Sequence, residues 1–137
     1  MREKAKSNRA RSVQPRFRIH CGSDIALGPG KADLLTLIGQ TGSINQAAKR
    51  MGMSYMRAWS LVRMMNCCFK EPLVTAAHGG EGGGGAKLTE TGRRTLALYR
   101  QMEAKATRSV QTTWKKMQSL LKPPPRRRLP ARSTRYI

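Results

Sequence analysis

The spacing of apolar and polar positions changes period several times along the chain, and each change predicts an element. Phe17, Ile19 and Cys21 alternate with Arg18 and His20, which predicts a short strand. Gly28-Pro29-Gly30 reads as a turn. Leu34, Leu35, Leu37 and Ile38 then fall on one helical face, and Gly42 marks the end of that helix. Ser43 and Gln46 predict a capping box, each side chain meeting a free backbone N–H at the start of a second, short helix that stops at Gly52. Ser54 caps a third helix to about Asn66, and Pro72 closes the connection that follows.

Leu73 to Ala76 and Ala86 to Leu88 predict two short strands around a loop, His78 to Gly85, that holds six glycines. Thr89 predicts the N-cap of a long final helix reaching Leu121. In it Tyr99, Met102, Ala106, Val110, Thr113, Met117 and Leu120 recur at steps of three and four and form one apolar stripe. Pro123-Pro124-Pro125 ends that helix. The expected organisation is a basic arm over 1–16, a domain over 17–122 and a basic tail over 123–137, with both ends disordered.

Charge turns this outline toward a partner. The 137 residues carry 27 Lys and Arg against seven Asp and Glu, a formal net charge of +20. Residues 1–18 hold seven basic side chains and one acid, and residues 122–137 hold six basic side chains and no acid. The remaining stretch is still basic. Such a chain attracts polyanions by releasing their counterions. No run approaches the ~20 apolar residues of a membrane span, and the N-terminus has no apolar h-region of a secretory signal. Three cysteines, Cys21, Cys67 and Cys68, are an odd count, expected as reduced thiols in a cytoplasmic protein.

The segment Ile44 to Leu61 has what a helix-turn-helix needs. Ala47 and Ala48 are small where two backbones cross, and Gly52 follows Ala48 by four residues, where a left-handed turn residue belongs. Met51, Met53, Ala58 and Leu61 are apolar at positions that fill the wedge; an ordinary helical hairpin is the competing reading. Ser54 to Asn66 then serves as the recognition helix, with Ala58, Leu61, Val62 and Met65 inward. Ser54, Tyr55, Arg57, Ser60 and Arg63 remain for the groove, with Ser43 at the preceding cap. Arg57 suits guanine O6 and N7, Ser54 and Tyr55 suit phosphate, and Trp59 is expected to pack.

The glycine-rich loop reads as the tip of a wing, with Gly83 and Gly84 allowing close backbone approach to phosphate and Lys87 at the wing base. A nucleotide-binding P-loop is the rival. Ala86 separates Gly85 from Lys87, and Leu88 stands where Ser or Thr would ligate magnesium, so the motif is broken. Cys67, Cys68 and His78 lack metal-site spacing. No catalytic set, cofactor or metal site is expected.

The stretches GSINQAAKRMGMSYMRAWSLVRMMN, PLV and GGEGGGGAKLTETG resemble the N-terminal DNA-binding domain of ModE-type molybdate-responsive regulators over roughly Ile19 to Trp114. More distantly, the chain is similar to the DNA-binding domain of LysR-type regulators. The resemblance implies a mainly α fold with a small β-hairpin wing: a winged helix-turn-helix with a long C-terminal dimerisation helix. It also implies a bacterial, nucleoid-associated transcription regulator acting as a homodimer on double-stranded DNA. Tyr99, Met102, Ala106, Val110, Thr113 and Met117 are the expected dimer seam. ModE-type regulators continue into a β-rich molybdate-binding domain, whereas this sequence runs into PPPRRR and leaves no room for one. Oxyanion sensing is therefore not expected, and any small-molecule effector is unknown. The alternative is a non-specific architectural DNA binder that uses the basic tails.

Overall fold

The computed structural model describes residues 11–77 and 85–123. The chain order is β1 (Ile19–Cys21), β2 (Asp24–Leu27), α1 (Pro29–Thr41), α2 (Ile44–Met51), α3 (Tyr55–Cys68), β3 (Val74–Ala77), β4 (Gly85–Leu88), α4 (Glu90–Ser109) and α5 (Gln111–Gln118). The described residues fall into two units. One spans Gln14–Arg108; the other joins the segment before Gln14 to the residues from Ser109 onward.

The larger unit is built on four helices, α1 to α4, and two antiparallel hairpins. β1 pairs with β2 through a tight turn in which Gly22 has φ +61°. The alternating pattern predicted only the first of these strands. Gly28-Pro29-Gly30 is also not the expected turn: Gly28 is the N-cap of α1 and Pro29 opens the helix. Proline suits that position because its missing N–H would be unpaired there in any case. β3 and β4 pair antiparallel in the register Val74–Leu88, Thr75–Lys87, Ala76–Ala86 and Ala77–Gly85.

One core joins these elements. Leu34, Leu35 and Ile38 of α1 are fully buried, together with Leu27 of β2, Ala47 and Ala48 of α2, Ala58 and Met65 of α3, and Leu73 before β3. Tyr99 of α4 closes it at 1% exposure, and its hydroxyl donates to the Phe17 carbonyl at 2.9 Å. Arg100 ties α4 to α1 through Asp33 at 2.8 Å and also pairs with Glu103 at 2.9 Å.

α4 begins as expected. Thr89 accepts the Gly92 N–H at 2.9 Å on its hydroxyl and the Arg93 N–H at 2.9 Å on its carbonyl. Gly92 lies against the backbone of Leu73, where a Cβ would stand only 2.1 Å from the Leu73 oxygen. The single helix expected to reach Leu121 is interrupted: Val110, at φ −102° and ψ 1°, leaves the helical region and caps α5. In the smaller unit α5 buries no residue, and Arg11 donates to the Leu121 carbonyl at 3.4 Å.

Candidate nucleic-acid interface

Two caps and one glycine set the geometry of α2 and α3. The Ser43 hydroxyl accepts the Gln46 N–H at 3.1 Å, which is the first half of the expected capping box. The second half differs: the Ser43 N–H is met by the Thr41 hydroxyl at 3.3 Å rather than by Gln46. At the far end of α2, Gly52 takes φ +70°. That conformation lets the Met53 N–H reach the Ala48 carbonyl at 3.0 Å and the Gly52 N–H reach Lys49 at 3.1 Å. The chain reverses within two residues and Ser54 caps α3, its hydroxyl accepting the Arg57 N–H at 3.1 Å. Ala47 and Ala48 present almost no side-chain bulk, so α2 sits close on the core.

α3 is divided by its own period. Ala58, Val62 and Met65 face inward, and Leu61 packs at the edge of the core. Ser54, Tyr55, Arg57, Ser60 and Arg63 are all exposed, so the five groove candidates share the outer surface of one helix. Trp59, expected to pack, is 40% exposed on this surface, with the Arg63 guanidinium 5.5 Å from its ring centroid. At that distance the cation meets the negative face of the ring, which orients both side chains. The Ser54 hydroxyl uses a lone pair for the cap and keeps its proton free to donate. The first turn of α3 contains no acid, so its free N–H groups and positive helix end stay open to an anion. Ser43 is half-buried beside this surface.

The strands of the second hairpin are fixed beside α3 by bonds that the periodicity does not reveal. Asn66 accepts the N–H groups of Leu73 at 2.8 Å and Val74 at 3.2 Å, and donates to the Val74 carbonyl at 3.0 Å. On the other strand, Ala86 donates to the carbonyl of Gly42 at 2.9 Å. One strand is thus held by a side-chain amide of α3 and the other by the main chain at the end of α1. Lys87 is exposed on β4. Gly83, Gly84 and the rest of the expected wing tip, 78–84, lie outside the described residues. Between α3 and the strands is a concavity of about 480 Å³, lined by Asn45, Tyr55, Trp59, Arg63, Thr75 and Ala76 among others.

From Leu34 to Lys70 the chain has five basic residues and no acid. Among the described residues, the ion pairs involve Arg93 and Arg100 and none engages Arg57, Arg63 or Lys87.

The expected dimer stripe divides. Tyr99 belongs to the chain's own core at 1% exposure and so drops out of the expected seam. Met102 on α4 is 41% exposed, as is Leu98 at 53%. Ala106 is half-buried. In the other unit, Val110 and Met117 are 39% and 56% exposed, and Thr113 is exposed. Sequence reasoning missed the clamp role of Asn66, the close approach at Gly92 and the Arg100 bridge. Only Gly92, a glycine inside a helical run, carried a local signal.

A capped helix pair with a left-handed glycine turn, followed by a two-stranded hairpin held beside the second helix, defines the chain as a winged helix-turn-helix protein. The fold matches the crystal structure of the CbnR_DBD–DNA complex with a TM-score of 0.51 at 19% identity, covering 64% of this chain and 95% of that one. In sequence the chain is similar to the N-terminal DNA-binding region of ModE-type regulators. It is 46% identical over 71 residues to the DNA-binding transcriptional dual regulator ModE of Escherichia coli, covering 52% of this chain and 27% of that protein. With the molybdenum transport protein ModE of Azotobacter vinelandii it shares 42% over 92 residues, covering 64% and 34%. With the molybdenum-pterin-binding protein MopB of Rhodobacter capsulatus it shares 47% over 78 residues, covering 57% and 29%. The matched region is between about a quarter and a third of each relative's length. No family model matches the chain. Among the described residues, no helix is long and apolar enough to cross a membrane.

Proposed function

We propose that the chain is a sequence-specific regulator of transcription that binds double-stranded DNA with α3 in the major groove. The carrying observation is the outer face of α3: five polar or basic side chains exposed together on a capped helix, with no acid in its first turn and, among the described residues, no ion pair holding its arginines. Arg57 stands in the first turn, where recognition helices meet base edges, and is suited to the O6 and N7 of a guanine. Ser54, Tyr55 and Ser43 serve phosphates, while Ser60 and Arg63 extend the contact along the groove. Lys87 and the glycine-rich tip with Gly83 and Gly84 serve the backbone or minor groove beside it. The exposed apolar side chains of the C-terminal helical region support a homodimer, which would set two recognition helices on one face of the duplex.

A second reading has its own observation. Of the formal charge of +20, more than half lies in residues 1–18 and 122–137. That distribution suits an architectural binder held by its tails. Binding isotherms of two variants on duplexes of varied sequence separate the readings. Arg57→Ala should relax base preference at a cost of ~1–3 kcal/mol on the preferred site. Removing 1–16 and 123–137 should weaken every sequence alike and lower the salt dependence. Loss of binding on tail removal, with no effect of Arg57→Ala, would establish the architectural reading instead.

A further inference from the structure

Two of the three cysteines meet in space although 46 residues separate them in sequence. Cys21 ends β1 and is exposed; Cys68 is the last residue of α3 and is half-buried. The Cys21 sulfur lies 4.0 Å from the Cys68 carbonyl oxygen, which brings the Cys21 side chain to the end of α3. The neighbouring Cys21 side chain, with burial after it, raises the pKa of the Cys68 thiol. Lys31 faces the same spot. Its ammonium donates to the Ile25 carbonyl and lies 3.3 Å from the Met64 sulfur, and burial lowers its pKa against the opposing pull of Cys68 and Asp24. Cys67, the sequence neighbour of Cys68, is elsewhere: it is exposed and lines the concavity beside Trp59.

We propose that Cys21 and Cys68 are an oxidative modification site, a two-thiol pair that closes to an intramolecular disulfide and ties the β1–β2 hairpin to the C-terminal end of α3. Each sulfur sits where the backbone can give. Cys21 borders the exposed two-residue turn at Gly22, and Cys68 is the final helical residue before the extended Phe69. Closure to an S–S distance of about 2.05 Å would draw on movement at these element ends. The oxidant is a hydroperoxide. The thiolate of one cysteine attacks a peroxide oxygen, forming an S–O bond while the O–O bond breaks and hydroxide leaves, to depart as water once protonated. The second thiol attacks the resulting sulfenic sulfur, forming the S–S bond and expelling water. Two thiols and one hydrogen peroxide thus give one disulfide and two waters, and the sulfurs together lose two electrons to the peroxide. The exposed Cys21 is the first attacker, since reactivity follows access.

The proposal stands whether or not the protein reads DNA, because its test is chemical. The full chain is treated with hydrogen peroxide, remaining thiols are alkylated, and a non-reducing digest is mapped by mass. The expected product is a monomer that has lost two hydrogens, with Cys21 joined to Cys68 and Cys67 alkylated. Cys67→Ser should lose both remaining thiols together, and Cys21→Ser should give no intramolecular disulfide. Because the bond closes a long loop, the oxidised monomer should melt on the order of 10 °C higher than after reduction. Three alkylated thiols, a bridge that includes Cys67, or bridges between chains only would each overturn the assignment; the Cys67→Ser arm keeps the test valid if Cys21→Ser fails to fold.

Discussion

Replacing Asn66 by alanine tests how the second hairpin is attached to α3. β3 has β4 on one edge only. On its other edge the Asn66 amide accepts two N–H groups and donates to one carbonyl, at 2.8, 3.2 and 3.0 Å. Leu73 and Val74, which own those groups, are 0% and 5% exposed, so water reaches them poorly. Alanine leaves two donors and one acceptor without partners. A buried polar group left unpaired costs about 1–3 kcal/mol. Because Asn66 itself is half-buried, some water can enter the space vacated, and the low end applies to each group. The total comes to about 2–4 kcal/mol, a large part of a small domain's usual ~5–15 kcal/mol. Urea denaturation followed by circular dichroism should show that loss as a lower midpoint with an unchanged slope. Native-state hydrogen exchange should show the amides of Leu73 and Val74 losing more protection than those of α1. A change under about 0.5 kcal/mol, with those amides still protected, would refute the argument that Asn66 holds the hairpin in place.

Two further predictions concern packing and assembly. Gly92→Ala places a Cβ 2.1 Å from the Leu73 oxygen, so backbone must move, whereas Gly39→Ala meets only the Leu88 side-chain end at 3.3 Å. Gly92→Ala should cost about 2–3 kcal/mol after the helix-propensity gain, and Gly39→Ala should be neutral or stabilising by up to ~1 kcal/mol; equal effects in thermal melts would contradict the close approach at α4. Sedimentation equilibrium should find a dimer at high micromolar concentration, weakened by Met102→Asp or Met117→Asp. A strict monomer there would remove the dimer proposal.

The helix pair α2–α3 was legible in sequence because its signals are local. Ser43, Gly52 and Ser54 each act on the backbone within a few residues, so cap, turn and cap can be placed without knowing the rest. The split of α3 followed from helical period alone, and Ala58, Val62 and Met65 fall inside as that period requires. Several of the errors share one physical source, which is contact distant in sequence. Tyr99 fits the apolar stripe of α4, yet its hydroxyl bonds a carbonyl 82 residues away. Trp59 has the bulk of a core residue, but its ring lies on the outer face because Ala58 and Val62 already occupy the inner one. Asn66 looked like a helix end because its three partners come from the next strand. The meeting of Cys21 with Cys68, rather than of Cys68 with Cys67, depends on how the first hairpin crosses the end of α3. The break at Val110 had no proline or glycine to announce it.

Selection of duplex DNA from a random pool by the full chain, followed by sequencing, tests the central claim most directly. The account predicts an enriched motif of two inverted half-sites with centres about one helical turn, or a multiple of it, apart, with guanine at a position whose preference is lost in Arg57→Ala. A pool that stays random after repeated selection, while still binding the protein, would contradict it.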